Sequence, residues 1–279
     1  MTDMKILRNW LLSWVLLLAL NAFCFSQTND FNFVVYGDSR TNFDISQKIV
    51  QLIDTYDDSL DLIFHTGDIV TFGYRIDEWE RYFSILKIIK TPIYFAVGNH
   101  DTNQNEDASN FIRYAKPPDD QLYYAVRHKN ALFLVLNSEN TVKKAAIIGK
   151  QWDWLTKQLQ DSTAQFKFMI LHRPLYTEMA HIGDCLDHHP KERDQLQNLL
   201  VQHRVTMVFA GHNHYYSKSW HDGIPNITTG GGGAPLYTDD AHGGFYHIVL
   251  VNIRGSQVIA TAIDLTGKVR DQITVTAAE

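Results

Sequence analysis

The chain has 279 residues, and 31 aspartates and glutamates outnumber its 25 lysines and arginines, which gives a formal net charge of -6. This mildly acidic balance lacks the basic patch that nucleic-acid-binding domains carry, so we expect no nucleic-acid partner. The length and a hydrophobic content of 45% suit one large α/β domain with its own core.

The first residues have the pattern of an export signal. Lys5 and Arg8 precede an apolar run over residues 10–20, and small residues follow it. Such a pattern is typical of a secretory signal peptide. The sequence therefore predicts a signal peptide over residues 1–26, cleaved after Ser26, and one domain over residues 27–279, secreted or held in the periplasm or cell envelope. The alternative is an uncleaved anchor, although a membrane span needs about 20 apolar residues.

The chain has two cysteines, Cys24 and Cys185. Cleavage after Ser26 removes the first, so the mature chain has no internal disulfide and its core must hold the fold unaided. Lipid attachment at Cys24 is disfavoured, because the preceding Phe23 is bulky. We expect no stable membrane span in the mature form, and the oligomeric state stays open.

Strand-like and helix-like segments alternate in the first two thirds of the chain. Runs rich in Val, Ile, Phe and Tyr predict strands over residues 31–36, 60–65, 92–97, 122–127, 131–137, 165–171 and 205–210. Apolar residues spaced three or four apart predict helices over residues 44–56, 76–90, 149–160 and 191–203.

After Gly211 the chain is nearly all strand, with predicted strands over residues 226–229, 245–253, 257–265 and 272–276. Alternation favours a parallel-type sheet with helices packed outside it, and the late strands suggest a second sheet. The predicted fold is therefore α/β, with two stacked mixed β-sheets flanked by helices.

Five short polar blocks end the predicted strands. They are Gly37-Asp38-Ser39-Arg40, Gly67-Asp68, Gly98-Asn99-His100-Asp101, Leu171-His172-Arg173-Pro174 and Gly211-His212-Asn213-His214. A single Gly-Asp after a strand is usually only a turn. Five such blocks at strand ends are different, because sites in α/β sheets form beyond the carboxyl ends of strands.

The blocks supply the side chains that two close metal ions require. They offer two carboxylates, one amide oxygen and three imidazoles, which are ligands for hard and borderline cations. A carboxylate can bridge two ions, and two-metal hydrolases use such pairs to activate water and neutralise phosphoryl oxygens. The sequence thus predicts two divalent metal ions, with Mn, Zn and Fe left open.

In order and spacing, the blocks resemble the motifs of the calcineurin-like metallophosphoesterase superfamily, in particular its purple-acid-phosphatase-like branch. The resemblance covers residues 32–250. It implies that Asp68 bridges the two metals and that Asp38 and His214 complete the first site. The second site would be completed by three further ligands, Asn99, His172 and His212.

The resemblance also implies that His100 is a catalytic general acid rather than a ligand, with Asp101 orienting its ring. Two positions depart from the pattern. Arg40 stands where most members have a histidine, and Thr71 stands where purple acid phosphatases have a tyrosine. The first ion would then have few protein ligands and exchange easily, and without a phenolate we expect no purple colour.

Arg40 has two interpretations: a catalytic guanidinium that holds phosphate oxygens, or a strand-end arginine paired with a carboxylate. The resulting hypothesis is an exported metal-dependent phosphoesterase for small-molecule phosphate esters, with phosphomonoesters favoured. Cationic side chains such as Arg40 or Lys218 near the site would support that preference. One alternative is a phosphodiesterase, including one for cyclic nucleotides. An alternative of another class is a non-catalytic envelope protein that binds a phosphorylated ligand.

Two further segments have open interpretations. The glycine run from Gly230 to Gly233 is either a plain turn or a loop that approaches the site closely. The polar stretch over residues 178–190, rich in His and Asp, is either a solvated loop or a substrate-contacting lid. The lone strand histidines His65 and His247 are expected to be packed and hydrogen bonded.

Overall fold

A computed structural model describes residues 29–102, 107–160 and 164–277, and the predicted signal peptide lies outside this part of the chain. The described residues form twelve β-strands in two sheets of six. Among them, no helix is both long and apolar enough to cross a bilayer. The predicted two-sheet α/β architecture is confirmed.

The first sheet has the order β12-β11-β10-β1-β2-β3. Its parallel half contains β1 (Phe31–Tyr36), β2 (Leu62–His65) and β3 (Ile93–Phe95). The antiparallel half contains β10 (His247–Arg254), β11 (Gln257–Asp264) and β12 (Val269–Thr276). The three parallel strands carry the first three polar blocks to one edge of this sheet.

The second sheet has the order β4-β5-β6-β7-β9-β8. Four of its strands run parallel: β5 (Ala131–Val135), β6 (Phe166–Leu171), β7 (Met207–Ala210) and β9 (Ile224–Thr229). The strands β4 (Tyr124–His128) and β8 (Tyr216–His221) are the two edge strands, and each is antiparallel to its neighbour. The carboxyl ends of β6 and β7 carry the last two polar blocks.

Helices cover the outer faces. They are α1 (Phe43–Asp54), α2 (Ile76–Ile85), α3 (Ser109–Ala115), α4 (Gly149–Leu159) and α5 (Pro190–Gln202). At the start of α1, the side chain of Asn42 accepts a hydrogen bond from the Ile45 amide, which satisfies a donor that the helix leaves free. Pro190 is the first residue of α5. Its lack of an amide hydrogen costs no hydrogen bond there, because the first amides of a helix have no partner within the helix.

Aromatic side chains fill the space between the sheets. The ring of Phe33 on β1 lies 5.0 Å from that of Phe133 on β5 and 5.1 Å from that of Phe168 on β6. Alternate residues of β1 face the other way: Val34 and Tyr36 pack in the cluster beneath α1. Both faces of β1 are therefore buried, which explains why its sequence is almost continuously apolar.

The structure corrects the expected placement of the late strands. They do not form a second sheet of their own, because β10–β12 extend the first sheet antiparallel to β1 while β8 and β9 extend the second. Two elements were not predicted from the sequence, the edge strand β8 and the short helix α3. Four of the six residues of β8 are polar, namely Ser217, Lys218, Ser219 and His221, so it lacks the apolar run used to find the other strands.

Candidate metal centre

The two aspartates that follow β1 and β2 sit in tight turns. Asp38 and Asp68 have φ angles of 59° and 57°, in the left-handed region, and both side chains are buried. Few non-glycine residues adopt this conformation, and Asp is among those that tolerate it. The preceding Gly37 is needed for space, because a Cβ there would lie 1.9 Å from Oγ1 of Thr66. The local sequence thus turns both carboxylates inward at the sheet edge.

Three acceptor atoms lie close to a fourth, the Nε2 of His172. Its Nδ1 donates to the carbonyl of Thr66 at 2.9 Å, which leaves a lone pair on Nε2. Around Nε2 lie Oδ1 of Asn99 at 3.0 Å, Nδ1 of His212 at 3.2 Å and Oδ1 of Asp68 at 3.3 Å. Ligand atoms about 2.1 Å from one ion are separated by about 3 to 3.5 Å. The predicted second-site ligands are therefore brought together with the spacing and chemistry of a cation site.

The predicted first-site ligands also meet. Donor atoms of Asp38, Asp68 and His214 all lie within 4.8 Å of one another. Nδ1 of His214 donates to the carbonyl of Pro235 at 2.7 Å, so Nε2 is left facing Oδ1 of Asp38 at 3.5 Å. These buried acceptors fit a second cation, and the shared Asp68 links the two groups.

Arg40 lies against the first group. Its Nε donates to Oδ2 of Asp68 at 3.1 Å, and Nη2 is 3.4 Å from Nε2 of His214. Arg40 is thus paired with a carboxylate, the one predicted to bridge the metals, and its role in holding phosphate oxygens stays a prediction. A guanidinium beside the first group supplies positive charge where the family pattern has a histidine.

Two hydrogen bonds, one from its backbone and one from its ring, fix the position of His100. Its backbone amide donates to Oδ1 of Asp68 at 3.0 Å, and its Nδ1 donates to the carbonyl of Thr71 at 2.7 Å. The expectation that Asp101 orients this ring is wrong, because the carbonyl of Thr71 does so. Asp101 instead accepts backbone amide hydrogens, from Asp68 at 2.9 Å and Gly98 at 2.8 Å among others.

Charges in the site shift several pKa values. Burial alone raises the pKa of Asp68, but His172, His100 and Arg40 outweigh burial and hold it well below its usual range. Burial lowers the pKa of His212 to about 4, so its imidazole is neutral at physiological pH. A carboxylate that stays ionised and an imidazole that stays neutral are the protonation states that metal ligands need.

The glycine run approaches the site closely. The amide of Gly232 donates to the carbonyl of Gly37 at 2.8 Å, and the amide of Ala234 donates to that of Asp38. A Cβ at Gly230 would lie 2.2 Å from the carbonyl oxygen of Asn213. The loop after β9 therefore packs directly on the turn that carries Asp38, and this favours the close-approach interpretation over a plain turn.

Sequence reasoning did not assign several residues near the ligands. Tyr237 stacks on the ring of His214, with ring centroids 4.0 Å apart. Within the polar stretch after β6, His181 and Asp184 approach His212, with ring centroids of the two histidines 4.3 Å apart. The richness of this stretch in His and Asp was the available signal. Lys218, by contrast, pairs with Asp271 at 2.6 Å.

Comparisons with known proteins agree with this geometry. The family model of calcineurin-like phosphoesterases matches residues 31–216. A phosphoenolpyruvate phosphatase of Allium cepa is 28% identical over 198 residues, which are 62% of this chain and 39% of that protein. An Fe(3+)-Zn(2+) purple acid phosphatase 12 of Arabidopsis thaliana is 26% identical over 163 residues, 52% of this chain and 33% of that protein.

Among solved structures, a purple acid phosphatase, PPD1, from yellow lupin seeds superposes with a TM-score of 0.73 at 17% identity, covering 88% of this chain and 54% of that one. This similarity shows a shared fold. The chain spans only about two fifths or less of the length of the two curated relatives. The resemblance to the purple-acid-phosphatase-like branch is confirmed, and since the family model covers most of the described residues, the chain belongs to the calcineurin-like phosphoesterase family.

Proposed function

We propose that this protein hydrolyses small phosphate esters, with monoesters favoured, at a centre of two divalent metal ions. The observation that carries this proposal is the convergence of acceptor atoms around Nε2 of His172, all at 3.0–3.3 Å. Asp38 and His214 would hold one ion, Asn99, His172 and His212 the other, and Asp68 both. The family uses such a binuclear centre, and the relative from Arabidopsis is by name an Fe(3+)-Zn(2+) enzyme.

When bound, the ions supply positive charge for the phosphoryl oxygens and acidify the attacking water. His100 is the proton donor for the leaving group. Because Nδ1 is committed to the carbonyl of Thr71, the transferable proton is the one on Nε2. Water attacks phosphorus, the bond to the ester oxygen breaks, and this proton passes to the departing oxygen to give the alcohol.

The side chain of Arg40 supports a monoester substrate. A phosphate monoester carries one more negative charge than a diester. The Arg40 side chain is only 14% exposed, and its guanidinium already lies among the ligands, where it can hold a phosphoryl oxygen through a charge-assisted hydrogen bond. Lys218 adds no such support, since it is paired with Asp271. A diesterase remains the alternative outcome of the test.

The test compares a chromogenic phosphate monoester with the matching diester, with added Mn²⁺ and with a chelator. We expect chelator-sensitive turnover that favours the monoester, and the variant Asp68→Asn should lose it while remaining folded. Faster turnover of the diester would overturn the monoester preference. A folded, metal-loaded protein that hydrolyses neither ester would favour the non-catalytic phosphate-binding alternative, and retained activity in Asp68→Asn would reject the site.

We also propose that the protein is exported, on the strength of the basic and apolar pattern of residues 1–26. The experiment is N-terminal sequencing of the protein recovered from the culture medium or the cell envelope. A new N-terminus at residue 27 supports cleavage after Ser26 and a domain over residues 27–279. A protein that keeps its first residues would contradict the cleavage, and its recovery from the membrane fraction would indicate the uncleaved anchor.

A further inference from the structure

A carboxylate from the polar loop after β6 reaches the outer nitrogen of a proposed metal ligand. Oδ2 of Asp184 lies 3.3 Å from Nε2 of His212. His212 itself is buried, whereas 59% of the Asp184 side chain is exposed. The inner nitrogen of the same ring, Nδ1, faces Nε2 of His172 at 3.2 Å. The two nitrogens of His212 therefore face a ligand cluster on one side and a carboxylate on the other.

Asp184 is held in this position by an ion pair with the buried Arg173. Nη1 of Arg173 lies 2.8 Å from Oδ1 of Asp184, and the same arginine donates from Nε to Glu139 at 2.8 Å. The Arg173 and Glu139 side chains are only 5% and 3% exposed. Arg173 directly follows the ligand His172, so β6 positions both the ligand and the anchor of Asp184. A buried, paired arginine is a rigid support for an otherwise exposed carboxylate.

The neighbours of His212 decide which of its two ring nitrogens carries the hydrogen. A neutral imidazole has one N–H, and a metal binds only the nitrogen that lacks it. If Nδ1 binds the ion, Nε2 must carry the hydrogen, and Asp184 is the acceptor within reach. Arg173 offers only donors, so it cannot play this part. We propose that Asp184, held by Arg173, is a positioning residue that fixes the Nε2–H form of His212 and so presents Nδ1 to the metal.

A third metal ion is the competing interpretation of this cluster. His181, Asp184 and His212 have donor atoms within 4.8 Å of one another. However, Nη1 of Arg173 lies 3.2 Å from Nε2 of His212 and 2.8 Å from Oδ1 of Asp184. A cation at this point would be in contact with a guanidinium. Arg40 lies beside the first site in a similar way, but the ligands there are all buried, whereas Asp184 is 59% exposed and His181 is half-buried. The exposed position together with the guanidinium therefore favours a hydrogen-bonded support over a further ion.

The inference rests on the proposed metal centre, and its test has one arm that needs no metal. The first arm records long-range ¹⁵N–¹H NMR spectra of the histidine rings in the chelator-treated protein. We expect His212 in the Nε2–H form in the wild type and a mixture of both forms in Asp184→Asn. The matched control is Asp187→Asn in the same loop, because Asp187 accepts hydrogen bonds from the amides of Gly183 and Cys185 and not from His212.

The second arm measures Zn²⁺ binding by calorimetry, with thermal unfolding as the check that each variant is folded. Loss of a carboxylate that orients a metal-bound histidine lowers metal affinity by about 10- to 100-fold. We expect this loss at one of two sites in Asp184→Asn, no loss in Asp187→Asn, and partial recovery in Asp184→Glu.

The outcomes separate the two proposals. A wild type that binds no Zn²⁺ contradicts the metal centre and leaves the NMR arm to decide the role of Asp184. An unchanged form of His212 in Asp184→Asn overturns the positioning inference, and so does an unchanged affinity where the wild type binds two ions. Equal losses in the Asp184 and Asp187 variants would show an effect of loop structure instead.

Discussion

Oδ2 of Asp101 accepts a hydrogen bond from the backbone amide of Asp68 at 2.9 Å. The other carboxylate oxygen, Oδ1, accepts from the amides of Ile69 at 2.8 Å and Val70 at 3.3 Å, and Gly98 adds a fourth donor. One buried side chain thus ties the turn after β2 to the turn after β3. The Asp101 carboxylate supports the backbone of Asp68 at its positive φ angle. The Asp68 carboxylate, in turn, faces both ligand groups.

Replacing Asp101 by Ala should therefore destabilise the protein and weaken its metal binding together. Four buried donors would lose their acceptor, and each unsatisfied donor costs about 1 to 3 kcal/mol. We expect the free energy of unfolding to fall by at least about 3 kcal/mol, measured by urea denaturation. The control is Asp77→Ala, an exposed partner of Arg75, which should leave the free energy of unfolding almost unchanged. Equal effects of the two substitutions would contradict the tethering role of Asp101.

Substitution of Arg40 tests the phosphate contact. Arg40→Ala removes a guanidinium that lies 3.1 Å from Asp68 and faces the ligand cluster. A charge-assisted hydrogen bond contributes about 1.5 to 3 kcal/mol, so the Michaelis constant for a phosphate monoester should rise about 10- to 100-fold. Steady-state kinetics with the monoester and the diester measure this, and the rise should be larger for the monoester.

Arg75→Ala serves as the matched control, because Arg75 is half exposed and pairs with Asp77 at the surface. An unchanged Michaelis constant in Arg40→Ala would leave Arg40 as a structural partner of Asp68 only. A separate measurement of metal content in Arg40→Ala distinguishes lost substrate binding from altered occupancy of the first site.

Much of the site was predictable because its ligands follow strands. Apolar runs mark β1, β2, β3, β6 and β7, and parallel strands bring their carboxyl ends to one edge, so side chains distant in sequence meet there. Asp184 was not predictable in the same way. It belongs to an irregular loop with no periodicity, and its contact with His212 depends on an ion pair to Arg173 that sequence spacing does not encode.

The role of Asp101 shows a different limit. Its place in the Gly98-Asn99-His100-Asp101 block suggested a contact with the adjacent histidine. The carboxylate instead accepts hydrogen bonds from amides in the turn after β2, where Asp68 has a left-handed conformation. A motif identifies which residues matter. It does not identify the backbone groups that each one contacts.

Adding a methyl group at Gly232 should disturb the turn that carries Asp38. A Cβ at this position would lie 2.3 Å from the carbonyl oxygen of Gly37, which also accepts the Gly232 amide at 2.8 Å. The atoms that the new methyl group meets are backbone and cannot rotate away as a side chain could, so Gly232→Ala should lower the melting temperature and the Zn²⁺ affinity. In the control, Gly255→Ala, the new methyl group meets no atom within 4 Å, and only the positive φ of 57° costs about 1–2 kcal/mol. Unchanged Zn²⁺ affinity in Gly232→Ala would show that the loop does not support Asp38.

The buried His247 should make the protein less stable in acid. Burial lowers its pKa to about 4 from an ordinary value of 6.5, while its Nδ1 donates to the carbonyl of Phe245 and its Nε2 contacts Thr229. The unfolded chain therefore binds a proton in a pH range where the folded chain does not. The contribution of His247 to stability is complete above pH 6.5 and declines as the pH falls towards 4, by about 3 kcal/mol in total.

Urea denaturation between pH 7 and pH 4.5, with chelator present throughout, measures this decline. His247→Gln, which has no proton to take up, should show a slope smaller than that of the wild type by up to about 1.4 kcal/mol per pH unit. The comparison isolates His247, because other buried histidines such as His65, whose pKa burial lowers to about 3, contribute equally to both proteins. Identical slopes would mean that His247 is protonated to the same extent in the folded and unfolded chains, contrary to its burial between the sheets.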